Sequence, residues 1–194
     1  MKINPKKSLG QNFLIDQNII KKIINVADIK GKNILEVGPG TGNLTKKIIE
    51  GRPSKIFVIE KDETLCKFLK EQFNDQIEII NKDILIVDEN RIFTEPLIVF
   101  GNLPYNISTE ILLKWISNLR AKPWFNELIL MFQKEVADRI ISKENTSSYG
   151  RLSIISQWKF EIKKIIDIKP SCFNPKPKIE STLLQFLPKE NYVD

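Results

Sequence analysis

Four consecutive residues, Asn102, Leu103, Pro104 and Tyr105, carry groups suited to holding a flat ring that bears an amine. Asn102 offers a side-chain carbonyl as an acceptor. Pro104 has no backbone donor and biases Leu103 toward extended backbone, which presents the Leu103 carbonyl as a second acceptor. Tyr105 supplies an aromatic face. Two acceptors and a plate can orient the exocyclic amine of a base such as adenine while its ring stacks. The plainer alternative is a strand-to-helix turn with Tyr105 in the core, so the neighbouring stretches have to decide.

The apolar run Leu97-Ile98-Val99-Phe100 reads as a buried parallel strand, and a helix opens near Ser108. The loop between them lies at a strand's carboxyl end, where open α/β sheets bind ligands. Upstream, Asn33–Val37 reads as a strand, followed by Gly38-Pro39-Gly40-Thr41-Gly42 and a helix from about Asn43 to Glu50. Glycines in such a turn let the backbone approach a ligand closely, and Glu36 can orient the loop. Position 43 holds Asn where the dinucleotide fingerprint needs its third glycine, which points to a nucleoside without a pyrophosphate. A second strand, Lys55–Ile59, ends in Glu60, 22 residues after Gly38, where an acid is the expected partner of ribose hydroxyls. A third, Ile77–Ile80, leads to Asp83, a carboxylate able to accept from an adenine amine. Taken alone, Glu60 can be a solvated acid at a helix start and Asp83 a turn residue. The ordered series of loops after successive strands is the stronger signal.

Composition narrows the classes. The 194 residues are 42% hydrophobic and 28% charged, which suits one large globular domain. There is no histidine, so a Ser-His-Asp triad or a Cys-His zinc site is excluded. Cys66 and Cys172 lack CxxC spacing and read as free thiols in a reducing compartment. A net charge of +6 with a pI near 9.2 favours a polyanionic partner such as nucleic acid. No signal peptide opens the chain and no apolar run approaches the ~20 residues of a membrane span, so a cytosolic protein is expected.

The remaining stretches complete an α/β pattern. Lys6-Lys7-Ser8-Leu9-Gly10-Gln11-Asn12-Phe13-Leu14 is a basic lead-in able to fold over the sheet's edge. Asp16 is a good N-cap for a helix with Ile19, Ile20, Ile23, Ile24 and Ala27 on one face, ending near Gly31. Glu127–Phe132 reads as a fifth strand, Gln133–Ser142 and Leu152–Trp158 as helices, and Phe160–Ile168 and Ser181–Leu187 as the last two strands. Lys134 and Arg139 are available for phosphates. Pro170, Pro175 and Pro177 hold Phe173 in a stiff loop, where its ring either joins Tyr105 or packs in the core.

These residues, together with Gly101-Asn102-Leu103-Pro104-Tyr105-Asn106-Ile107-Ser108-Thr109, Gln133-Lys134-Glu135-Val136, Tyr149-Gly150-Arg151-Leu152-Ser153 and Phe173-Asn174-Pro175-Lys176-Pro177-Lys178, resemble the ribosomal RNA adenine N6-dimethyltransferase family, which is related to the Erm enzymes. The resemblance implies a Rossmann-like α/β fold: a mostly parallel seven-stranded sheet, helices on both faces and an antiparallel C-terminal hairpin. It implies S-adenosyl-L-methionine as methyl donor, no metal, and transfer to two adjacent adenosines near the 3′ end of small-subunit (16S) rRNA during ribosome biogenesis. Donor contacts would come from Gln11, Asn12, Leu14, Gly38, Gly40, Glu60, Lys61, Asp83, Ile84 and Asn102. The base would sit against Asn102, Leu103, Pro104, Tyr105 and Phe173. Lys134, Arg139, Arg151, Lys176 and Lys178 would meet RNA phosphates. Residues 1–194 would form one catalytic domain, with a lead-in over residues 1–31, acting as a monomer. The family's small C-terminal helical domain does not follow in this chain, which stops at Asp194. An Erm-like 23S rRNA methyltransferase shares the same chemistry, and an assembly factor without turnover would share the fold.

Overall fold

The computed structural model describes residues 5–6, 9–119 and 122–190. Residues 1–4, 7 and 8 of the basic lead-in, and the end of the chain at Asp194, lie outside them. In chain order the elements are β1 (Phe13–Leu14), α1 (Gln17–Ile24), β2 (Asn33–Val37), α2 (Asn43–Glu50), β3 (Lys55–Glu60), α3 (Glu63–Phe73), β4 (Glu78–Asn81), α4 (Glu89–Ile92) and β5 (Leu97–Asn102). They continue with α5 (Ser108–Ser117), β6 (Phe125–Gln133), α6 (Lys134–Ile140), α7 (Arg151–Lys159), β7 (Phe160–Ile168), β8 (Phe173–Asn174) and β9 (Ser181–Pro188).

Seven strands form one sheet in the order β4-β3-β2-β5-β6-β9-β7. From β4 to β6 neighbouring strands pair in parallel, while β9 is antiparallel to both β6 and β7, so β9 alone runs against the rest. The edge strand β7 pairs with β9 irregularly between Lys164 and Ile166. A separate two-stranded ladder joins Leu14 of β1 to Phe173 of β8. Side chains alternate across a strand, so a continuous apolar run feeds both faces. Val99 of β5 and Leu128, Leu130 and Phe132 of β6 meet α5, α6 and α7 on one side. Ile98, Phe100, Ile129 and Met131 meet α1, α2 and α3 on the other. Aromatic rings concentrate in the first layer, where Trp124 contacts Phe93, Trp115 and Phe125.

Helix boundaries follow local chemistry. Asp16 caps α1 by accepting from the Asn18 and Ile19 N–H groups at 2.9 and 3.0 Å. The helix closes at Asn25 rather than near Gly31, because Val26 turns back to the Ile23 carbonyl and Asp28 ties down the Lys30 N–H. Ile77 belongs to the turn before β4, which therefore begins one residue later than expected, at Glu78. α6 is shorter than expected at its C-terminal end, where the Ser142 hydroxyl folds back onto the Asp138 carbonyl at 2.7 Å. α3, α4 and the β1/β8 pair have no counterpart among the expected elements. No helix among the described residues is long and apolar enough to cross a membrane.

The turn into α2 is the most constrained local feature. Gly42 has φ of +77°, and a Cβ there would stand 2.5 Å from the Phe73 ring and 3.0 Å from Leu69. Backbone conformation and space both exclude a side chain. Gly42→Ala should therefore lower the unfolding free energy by about 2 kcal/mol or more, read by urea denaturation. An unchanged midpoint would show that the turn and α3 relax without cost.

Candidate functional site

The strand order reverses between β2 and β5, so the chains leaving these two neighbours run to opposite faces and open a crevice. Register sets the level of its walls: Val37 pairs with Ile59 on one side and Gly101 on the other. The crevice holds a cavity of about 220 Å³. Its lining brings together Gln11, Asn12, Leu14, Gly38, Gly40, Glu60, Lys61, Asp83, Ile84, Asn102, Leu103, Pro104 and Tyr105. Phe173 is not among them. It is 3% exposed and lies in the core layer behind Leu14, because pairing with β1 turns it inward. The alternative of core packing describes it.

Asn102 ends β5 with its amide fixed. Nδ2 donates to the Asn12 backbone carbonyl at 2.9 Å, which leaves Oδ1 as the acceptor end. The Leu103 carbonyl accepts no hydrogen bond among the described residues. The loop is held beyond this point by Ile107 N–H donating to the Pro104 carbonyl at 3.1 Å. Tyr105 is partly buried, and its phenol is hydrogen-bonded to the buried Ser181 hydroxyl. Burial raises the phenol's pKa more than that bond lowers it. Against this loop lies Gly10, with φ of +62°, where a Cβ would come within 2.9 Å of Asn106 Oδ1. The lead-in thus touches the loop at both Gly10 and Asn12.

The acids are not simple solvated charges. Glu60 is 8% exposed, and its Oε1 accepts from the Asp62 N–H at 2.9 Å. Burial raises its carboxyl pKa more than N–H groups of Asp62, Gly40 and Lys61 lower it. Asp83 accepts from Lys61 Nζ at 2.7 Å and from the Leu85 N–H at 3.0 Å. The Lys61 bond is the main reason its carboxyl lies below the usual range. An acceptor expected to be open to an adenine amine is thus shared with a lysine at the rim. Beneath the glycine turn, Glu36 is 2% exposed and accepts from the Thr45 hydroxyl at 2.6 Å. Desolvation raises its pKa to about 7 against the pull of Thr45, and the nearby Glu60 adds to the rise.

A nucleoside-type methyl donor fits this set of groups. Gly38, with φ of +68°, leaves its Cβ direction open to within 3.7 Å of the Asn102 carbonyl, so backbone rather than side chain faces the crevice there. Glu60 supplies a carboxylate, and Ile84, Leu85 and Leu103 supply apolar surface. The basic residues expected at RNA lie elsewhere. Arg139, Arg151, Lys176 and Lys178 are exposed. Lys134 pairs with Asp167 at 2.9 Å, a carboxylate that also holds Lys164 and the Thr182 hydroxyl. Lys134, Arg139 and Lys178 share an open groove with Glu135, Asp138 and Glu180, so its charge is mixed. Thr45, Asp62, Asn106 and Ser181 act on the site without having been singled out by sequence as its contacts. Asn106 stood inside the stretch after β5 that carries the resemblance, and Asp62, two residues after Glu60 and ahead of a helix, carried the local signal of an N-cap.

Known structures share this architecture. A dimethyladenosine transferase from Plasmodium falciparum superposes with a TM-score of 0.82 at 32% identity, over 92% of this chain and 64% of its own. The 23S rRNA methyltransferase ErmE gives 0.76 at 27% identity, over 94% and 72%. The fold and the crevice are those of a Rossmann-like methyltransferase. The sequence pattern described as "Ribosomal RNA adenine dimethylase" matches residues 2–194. Ribosomal RNA small subunit methyltransferase A of Pelagibacter ubique is 59% identical over 192 residues, covering 99% of this chain and 73% of that protein. Its counterpart in a Wolbachia strain of Drosophila simulans is 44% identical, covering 96% and 69%. The chain belongs to the ribosomal RNA adenine dimethylase family.

Glu36 gives stability a pH dependence of definite sign. Its carboxyl titrates at 4.5 when unperturbed and at about 7 in the fold, so between those values the folded state keeps a proton that the unfolded chain has lost. This contribution is fully present below the lower value and is lost as pH rises through the upper one. Glu36→Gln removes the titration. Its unfolding free energy relative to the parent should therefore rise by on the order of 3 kcal/mol from acid to mildly alkaline pH. Parallel urea-denaturation curves across that range would show that Glu36 does not titrate there.

Proposed function

We propose that the chain transfers methyl groups from S-adenosyl-L-methionine to the exocyclic N6 of adenosine in ribosomal RNA, with two adjacent adenosines near the 3′ end of the small-subunit RNA as its targets. One observation carries the reading. Asn102 commits its amide hydrogen to Asn12, which leaves Asn102 Oδ1 and the Leu103 carbonyl as neighbouring acceptors in the cavity that also contains Glu60. Family membership and the names of the relatives support it.

When bound, the donor supplies an electrophilic methyl group on a positively charged sulfur. Adenine N6 is a weak nucleophile because its lone pair is delocalised into the ring. Asn102 Oδ1 and Leu103 O accept hydrogen bonds from its two N–H groups, favour pyramidal nitrogen and aim the lone pair at the methyl carbon. The new N–C bond forms as the S–C bond breaks, with its electron pair passing to sulfur. The methylated nitrogen then loses a proton to water, so Asn102 need not act as a base. Orientation is the main contribution, drawn from the roughly 7 to 11 kcal/mol that well-placed reactants can supply.

Glu60 is assigned to the ribose hydroxyls, and Gln11, Asn12, Leu14, Gly38, Gly40, Lys61, Asp83 and Ile84 to the rest of the donor. Tyr105 is assigned to the face of an unpaired or flipped base, where stacking offsets part of the unstacking cost. Phe173 supports Leu14 from behind. Arg139, Arg151, Lys176 and Lys178, exposed at the surface, are assigned to RNA phosphates, with Lys134 sharing its charge with Asp167. We assign the chain to the cytoplasm, as a monomeric catalytic domain that meets the small ribosomal subunit.

Tritiated methyl transfer tests the reading directly. Label should enter small-subunit particles that lack the modification and not large-subunit RNA. The reverse pattern would favour an Erm-like activity, and label in neither would favour an assembly role. Tyr105→Ala should lower the methylation rate with little change in donor affinity by calorimetry, whereas lost donor binding in a folded variant would overturn its assignment. Glu60→Gln should weaken donor binding about tenfold or more, as expected for loss of a charged acceptor. Equal affinities would remove Glu60 from the site.

A further inference from the structure

Asp62 does not line the cavity, yet its carboxylate is the anchor of the segment that does. The side chain is 3% exposed. Oδ1 accepts from Lys6 Nζ at 2.7 Å and from the Thr64 N–H at 3.0 Å. Oδ2 accepts from Gln11 Nε2 at 3.1 Å. An N-cap needs only the bond to Thr64. The other two donors arrive from the lead-in, more than fifty positions away along the chain. The lead-in is folded to present them, with the Lys6 N–H donating to Gln11 Oε1 at 2.7 Å and the Leu9 N–H to the Lys6 carbonyl at 3.1 Å. Its far end is held by Asn102 at Asn12 and lies against Asn106 at Gly10. Between these two attachments, residues 9–14 form part of the cavity wall.

We infer that Asp62 is a positioning residue, a clasp that holds Lys6 and residues 9–12 of the lead-in against the donor cavity and opens to let donor in and spent donor out. The inference rests on the reading of that cavity as the donor site. Asp62 also donates its own N–H to Glu60 Oε1 at 2.9 Å, so the clasp shares a turn with the acid assigned to the ribose. Burial alone would raise the Asp62 carboxyl, but hydrogen bonds from Lys6, Gln11 and Thr64 outweigh it and keep it below the usual range. The partner cation is 48% exposed, so on opening Lys6 returns to water it already touches. That asymmetry, a fixed buried acceptor and a half-solvated donor, makes a contact that can break and re-form.

The test measures the rate at which S-adenosylmethionine leaves the full chain, by competition in stopped flow. Asp62→Ser keeps a good N-cap and removes the carboxylate. Lys6→Met leaves the cap untouched. Donor release should accelerate about tenfold in Asp62→Ser, which loses two side-chain donors, and about threefold in Lys6→Met, which loses one half-exposed pair. The double variant should match Asp62→Ser, because both changes cut the same bond. Thermal midpoints without donor should stay close to the parent for Lys6→Met, separating the clasp from simple destabilisation. Variants that release donor at the parent rate, or effects that multiply in the double variant, overturn the inference alone. A parent chain that binds no donor overturns the cavity reading and this inference with it.

Discussion

Parallel pairing of β2 with β3 on one side and β5 on the other is the constraint on which the site depends. The shared register at Val37 brings three chain exits to one level, and the reversal of strand order parts two of them. Much of what is assigned to the donor hangs from those exits, namely the glycine turn after β2, Glu60 at the end of β3 and Asn102 at the end of β5, while Asp83 follows the next strand, β4, and the lead-in adds Gln11, Asn12 and Leu14. The two core layers support this geometry, because strands buried on both faces cannot slip by one residue without exchanging their contents. The site therefore inherits its precision from the sheet rather than from the loops.

A second theme is the handling of charge in a narrow space. Glu36, Glu60 and Asp62 lie within one corner of the fold, and each is buried. An uncompensated carboxylate in that setting is costly. The three are treated differently. Burial raises the Glu36 carboxyl to about 7 against the pull of a threonine hydroxyl, burial likewise raises Glu60 against backbone N–H groups that favour its charge, and Asp62 is held below the usual range beneath a lysine from the lead-in. A ligand entering beside them meets directed acceptors rather than a diffuse negative field. The lead-in is thereby part of the electrostatics of the site as well as its wall.

Much of the frame was legible in the sequence because local signals agreed with tertiary ones. Lys55–Glu60 holds a continuous apolar run from Ile56 to Ile59, Gly38-Pro39-Gly40 is a turn that needs positive φ, and the spacing from Gly38 to Glu60 reflects one strand-helix-strand crossover. Phe173 was ambiguous for a physical reason. The direction of its side chain is set by a two-residue ladder to β1, a contact too short to leave periodicity in the sequence. Lys134 illustrates the same limit, since it opens a helix while its partner Asp167 lies in β7, 33 positions further along the chain. The clasp at Asp62 was hidden because a helix cap and a tertiary anchor look identical along the chain. α3 carries the same kinds of local signal, a cap at Asp62 and buried Leu65, Leu69 and Phe73 on one face, and adds to the expected elements.

The irregular edge formed by β7 has a consequence for how copies of this protein behave together. An edge strand offers unpaired backbone groups to any extended chain that approaches. β7 is nine residues long, but Glu161, Lys163 and Lys164 are exposed along it and its pairing shifts at Lys164. The opposite edge, β4, has only four residues. Charge and a broken register at one border, and brevity at the other, discourage strand addition between molecules. The sheet that organises the site thus offers no long, regular, uncharged edge at either margin.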